Sequence, residues 1–153
     1  KTIWTGNAAT KRNFLDNYQR FSIVQLNTHA VGGDMDREPL IYFSDSILLM
    51  SELILTGIPA TSIIILSACE TGLGDIKGDE GVYGLQRAFK IAGAKYIIMS
   101  LWQVPDQETE EFMTSFYNEL IKTKEIRKSF TNAQKMMREK YDPYFWGAFV
   151  LIE

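Results

Sequence analysis

The stretch Ser62–Gly74, SIIILSACETGLG, decides the reading of this chain. Its first half, Ser62–Ala68, is apolar without polar alternation and rich in β-branched residues, which predicts a strand buried on both faces. It runs straight into Cys69, the only cysteine, and then into a loop rich in glycine and acidic residues. A buried strand that delivers a lone thiol to a polar loop invites a search for its chemical partner.

Working outward, two more runs have the same character: Ser22–Asn27 (SIVQLN) and Lys95–Leu101 (KYIIMSL). Trp146–Ile152 (WGAFVLI) reads as a closing strand, and Ile41–Phe43 as a shorter one ahead of a Ser-Asp-Ser turn. Helical patterns fall between them. Ala9–Tyr18 is a weak one, and Met50–Leu55 stops at Gly57-Ile58-Pro59. Val82–Ala92 has an apolar face ending at Gly93. Asp106–Lys122 carries Phe112, Phe116, Leu120 and Ile121 on one face, with Asp106 as its expected cap, and Ile126–Lys140 follows. Strands that alternate with helices predict an α/β fold with a mostly parallel sheet. In such sheets ligands bind beyond the carboxyl ends of the strands.

Composition narrows the function. At 153 residues the chain has the length of one domain, and it shows no repeats, linker or low-complexity segment. Sixteen basic against 19 acidic residues leave a net charge of −3, which argues against direct nucleic-acid binding or a basic membrane-binding face. No apolar run approaches the roughly 18 residues of a membrane helix, and no signal-peptide pattern opens the chain. A single cysteine excludes an internal disulfide framework and suits a reducing, cytoplasmic location. The chain starts with Lys1 rather than methionine, which predicts a piece of a longer protein.

The rarest residues stand at equivalent places. Strand 22–27 leads to His29, the only histidine, and strand 62–68 leads to Cys69. A free thiol with pKa about 8.5 is only a few per cent thiolate at neutral pH. A neighbouring imidazole can take the thiol proton and later protonate a leaving amine. Backbone N–H groups of Cys69 and Ala30 are the candidates for an oxyanion pocket. Each residue also has a plainer reading: the cysteine as a small buried hydrophobe, the histidine as a structural residue. Their joint placement is what favours chemistry.

Three other chemistries fail on detail. One histidine and one cysteine leave a zinc site short of ordinary ligands. The spacing Gly72, Gly74, Gly78, Gly81 lacks the G-x-x-x-x-G-K-[ST] pattern, and Glu70, Asp75, Asp79 and Glu80 would repel phosphate. A cysteine phosphatase needs an arginine just after the nucleophile, whereas the first here is Arg87. The 72–81 loop reads as a cleft wall or a solvated connection.

Four segments, NTHA (27–30), LSACETGLG (66–74), GDEGVYGLQRAFKIAGAKYIIMSLWQVPD (78–106) and PYFWGAFVLIE (143–153), resemble the CHAT domain. This is a caspase-like cysteine peptidase domain commonly fused to tetratricopeptide repeats, and the resemblance runs from about Gly6 to Glu153. It implies a caspase-like three-layer α/β sandwich, Cys69 as nucleophile, His29 as general base, no cofactor, and cleavage of peptide bonds in protein substrates. Caspases proper place their histidine about 50 residues before the cysteine; here the gap is 40. The resemblance also implies repeats in the same chain, or an activating partner protein, as regulators.

Two departures stand out. The family's His-Gly is His29-Ala30 here, which narrows the oxyanion pocket without removing its donor. Caspase-like folds carry two strands before the histidine strand, so residues 1–153 read as one CHAT domain incomplete at its N-terminal side, weakly active alone. In related peptidases the residue two before the cysteine lines the primary pocket and is acidic where lysine or arginine is cut; here it is Ser67. Ser67, Glu70 and Asp106 are the substrate-cleft candidates, with Trp102 as core or pocket wall and Phe145, Trp146 and Phe149 as core. The alternative function is a catalytically idle scaffold for protein–protein interaction.

Overall fold

A computed structural model describes residues 1–31, 38–57, 62–66 and 80–153, with side chains from residue 85 in the last segment. The predicted strands Ser22–Asn27, Ser62–Ala68 and Lys95–Leu101 form β1 (Ile23–Leu26), β5 (Ile63–Leu66) and β6 (Tyr96–Ser100). Together with β7 (Phe149–Ile152) they make a four-stranded sheet in the order β1-β5-β6-β7. β1, β5 and β6 are parallel and β7 is antiparallel to β6, so the sheet is mostly parallel as expected.

Alternation along the strands separates two cores. Val24, Leu26, Ile64, Leu66, Ile97 and Met99 face one layer, built from α1 (Lys11–Asn17), α2 (Met50–Thr56) and α3 (Glu80–Ala92). Ile23, Ile63, Ile65 and Ile98 face the other, built from α4 (Asp106–Thr123) and α5 (Ile126–Arg138). All four residues of β5 are buried because helices cover both of its faces, which is why its sequence shows no alternation. This is the three-layer α/β sandwich that the sequence predicts.

Local chemistry explains the elements. Thr10 caps α1 by accepting from the Asn13 N–H at 3.0 Å. Glu52 reaches back to the Leu49 N–H at 2.9 Å and takes the Lys11 ammonium at 2.7 Å, tying α2 to α1. Gly93 ends α3 with φ +115°, a conformation that a side chain disfavours. Lys124 ends α4 in the left-handed region, where its N–H donates to the Leu120 carbonyl.

Two expectations need correction. Asp106 does not cap α4: the extended Pro105 occupies the cap position, its carbonyl accepts from the Thr109 N–H at 3.0 Å, and Asp106 is the first helical residue. The closing strand does not begin at Trp146. Pro143 favours a helical first position, so Pro143–Trp146 forms the short helix α6 and β7 starts only at Phe149. The short strand expected at 41–43 is present as β3 (Leu40–Tyr42), the middle of a separate antiparallel sheet with β2 (Ala30–Val31) and β4 (Ile47–Leu49).

Candidate functional site

Register sets the geometry of the carboxyl edge. Leu26 of β1 pairs with Leu66 of β5, and Leu66 pairs with Met99 of β6. His29, Cys69 and Trp102 each stand three residues beyond those partners in the chain. Because the strands are parallel, all three follow carboxyl ends on one edge of the sheet. Cys69 itself, with Ser67 and Glu70, lies outside the described residues.

The backbone around His29 is fixed from both sides. Upstream it leaves β1. Downstream the His29 carbonyl accepts from the Tyr42 N–H at 2.9 Å, and the Thr28 hydroxyl donates to the Tyr42 carbonyl at 2.6 Å. Ala30 pairs with Ile41 and buries its methyl group in the core beneath the small sheet. His29 remains exposed at the rim. A residue held by two sheets and presented to solvent suits a working imidazole.

Asp106 opens α4, a few residues after the carboxyl end of β6. With Asn27 and Gln25 of the β1 end it lines a groove of about 560 Å³, continued along α4 by Thr109, Glu110, Met113 and Tyr117. The spacing 106, 109, 110, 113, 117 places these residues on one face of the helix. A polar chain runs along the wall: the Tyr117 hydroxyl donates to Gln25 Oε1 at 2.7 Å, and the Gln25 amide donates to Asn27 Oδ1 at 3.0 Å. Burial pushes the Tyr117 phenol up to about 12, so it stays a protonated donor at neutral pH. Gln25, Asn27 and Tyr117 were not among the expected site residues. The one available signal was a glutamine inside the otherwise apolar run SIVQLN.

Trp102 is partly buried against the α4–α5 core, and its indole N–H donates to the Tyr144 carbonyl at 2.9 Å. Phe149 is core, stacked on Phe112 with ring centroids 4.0 Å apart. Phe145 and Trp146 pack against the same core from its margin. Among the described residues no three His, Cys, Asp or Glu side chains gather where they could hold a metal ion, and no helix is long and apolar enough to cross a membrane.

The sequence profile of the CHAT domain matches residues 2–153. The chain belongs to the CHAT domain family. Its caspase-like character is therefore a family property, carried by a mixed α/β fold of the expected kind. Among curated proteins the CHAT domain is similar to tetratricopeptide repeat protein 28 of Mus musculus, at 29% identity over 96 residues and 61% of this chain. The same protein of Homo sapiens is 29% identical over 93 residues, or 59% of the chain. The aligned stretch is only 4% of either relative's length. Both names carry the repeat whose company the sequence resemblance implies.

Proposed function

We propose that this CHAT domain is a cysteine endopeptidase working through Cys69 and His29. The observation that carries the reading is the equal three-residue offset of His29 and Cys69 beyond strand partners that are in register. The His29 imidazole takes the Cys69 proton, and the thiolate sulfur bonds to the substrate carbonyl carbon. Backbone N–H groups of Cys69 and Ala30 stabilise the oxyanion. Collapse breaks the carbon–nitrogen bond, and the imidazolium gives its proton to the departing amine. Water, deprotonated by the same imidazole, then hydrolyses the thioester and restores the thiol. No cofactor enters this sequence, and a free thiol of this kind belongs in a reducing compartment such as the cytoplasm.

Regulation comes from outside the four strands. Among the described residues β1 is an edge strand and its residues are only half-buried, whereas those of its neighbour β5 are buried throughout. His29 follows that exposed strand, so a segment or partner protein that pairs with β1 would steady the imidazole. A displacement of about 1 Å can cost on the order of a hundredfold in rate. Tetratricopeptide repeats are the proposed regulators, and residues 1–153 alone are weakly active.

One observation favours a second reading, an idle scaffold: Ala30 stands where the family has glycine and commits its side chain to the core. Comparing wild type with Cys69→Ala for cleavage of candidate partner proteins separates the two. Cleavage confined to the wild type supports the peptidase; identical outcomes from both proteins support the scaffold.

A further inference from the structure

The small sheet that follows His29 has a second face, which neither core covers. Ala30, Ile41 and Leu48 are cross-strand partners in β2, β3 and β4, and all three are buried in the core beneath. The alternate positions point the other way: Val31 pairs with Leu40, Leu40 with Leu49, and Tyr42 with Ile47. Val31, Tyr42 and Ile47 are 45%, 44% and 40% exposed. A sheet with one solvated face normally alternates apolar in with polar out. Here Val31, Leu40, Tyr42, Ile47 and Leu49 make the outward face hydrophobic throughout, the pattern of a sheet covered on both sides.

Size, edges and charge select what can cover it. Three strands about 4.8 Å apart span roughly 10 Å, and three residues at about 3.4 Å each run roughly 10 Å. An α-helix with its side chains is about 10 Å across and covers that length in about two turns. A stable dimer buries about 800 Å² per partner, several times what a patch of this size offers, which argues against a second copy. Two copies face to face would also oppose like charges, since Glu38 and Asp45 stand exposed at the two ends of β3. Strand addition fails as well, because β2 has only two residues and β4 three. The two carboxylates instead favour cations at the ends of an incoming helix.

We propose that the outward face of β2-β3-β4 docks an amphipathic helix of a partner protein, aliphatic along one side and basic at its ends. Docking bears on His29 directly. The His29 carbonyl accepts from the Tyr42 N–H at 2.9 Å and the Thr28 hydroxyl donates to the Tyr42 carbonyl at 2.6 Å, so β3 carries the backbone beside the imidazole. Strands this short are marginal on their own. A helix packed on their open face holds Tyr42, and through it His29, in one place. That consequence rests on the peptidase reading for its meaning, whereas the docking itself does not.

The test titrates the chain with an acetylated peptide amide of about 16 residues, long enough to form an isolated helix. Its leucines lie along one side and its lysines in the first and last turns. One control peptide scatters the same leucines around the helix, and another replaces the lysines by glutamates. Backbone amide resonances of Val31, Tyr42 and Ile47 report docking, and the ring of His29, the only histidine, gives a single imidazole signal. The lysine peptide should shift all four with one midpoint, the glutamate peptide should bind about tenfold more weakly, and the scattered one not at all. Val31→Thr with Ile47→Thr keeps the β-branched shape on an exposed face and should weaken docking about tenfold. Equal binding of the three peptides, or shifts that leave the small sheet untouched, would overturn the proposal. So would self-association of the chain that the threonine variant abolishes, since it assigns the face to a second copy. A small sheet that shifts while the His29 signal stays still would overturn the coupling. A wild-type chain that cleaves nothing although the peptide docks and moves His29 would refute the peptidase reading alone.

Discussion

Replacing Tyr117 by phenylalanine removes one atom from the wall of the groove and leaves the ring. The lost bond is the 2.7 Å donation to Gln25 Oε1. A hydrogen bond of this kind contributes about 1 kcal/mol net, and a carbonyl left dry would raise the cost toward 3 kcal/mol. The groove holds about 560 Å³ of open space beside Gln25, so water can replace the hydroxyl and the lower figure applies. Tyr117→Phe should therefore destabilise the chain by about 1 kcal/mol, or roughly 2–4 °C in melting temperature for a domain of this size. A second signature comes from pH. The Tyr117 phenol is raised from about 10 to about 12 by burial, so the stability linked to its protonated form is complete below pH 10 and is lost as pH rises through 12. The gap between wild type and variant should narrow over that window in urea unfolding curves. The same phenol should appear in the high-pH part of a spectrophotometric titration of the seven tyrosines, and that part should shrink by one tyrosine in the variant, the Tyr141 phenol being raised as well by its hydrogen bond to Glu111. Unchanged stability at neutral pH, or seven tyrosines that all ionise near pH 10, would refute the reasoning.

Other substitutions probe the layers and the edge. Phe112→Ala removes a fully buried ring stacked on Phe149 and edge-on to Phe130; a loss of about 3–5 kcal/mol and a melting temperature lower by on the order of 10 °C should follow in calorimetry. Gly147→Ala would put a Cβ 2.7 Å from the Pro143 carbonyl oxygen, the acceptor of the Gly147 N–H. That turn must open, costing about 1–3 kcal/mol in denaturant unfolding. Glu111 is held below the usual carboxylate range, first by its hydrogen bond from Lys140 and then by the one from Tyr141. The stability it contributes is present above about pH 4.3 and is lost as pH falls. Glu111→Gln should thus be less stable than wild type at neutral pH, with the difference closing in acid.

How much was legible in the sequence depended on whether the decisive constraint was local. The four runs SIVQLN, SIIILSA, KYIIMSL and WGAFVLI are apolar because helices cover both sheet faces, and that burial writes itself into each strand separately. The ends were harder. Pro143 turned Trp146 from strand into helix, and Pro105 displaced Asp106 from the cap, because proline's fixed φ outweighed the preference of its neighbour. The sheet containing Ala30 stayed hidden, since two- and three-residue strands carry no readable period. His29 and Asp106 were visible as residue types at strand ends. The Tyr117–Gln25–Asn27 chain was not, because Tyr117 and Gln25 are 92 positions apart and only packing brings them together.

The central claim is that the His29 imidazole and the Cys69 thiol act on each other, and the chain offers a direct measurement of it. Cys69 is the only thiol, so iodoacetamide alkylation of the intact protein reports its ionisation without interference. Alkylation rate is measured against pH for wild type and for His29→Ala. The wild-type profile should turn below the free-thiol value of about 8.5, because an imidazolium neighbour favours the thiolate. In His29→Ala the inflection should return toward about 8.5, with slower alkylation at neutral pH. Superimposable profiles from the two proteins would contradict the account.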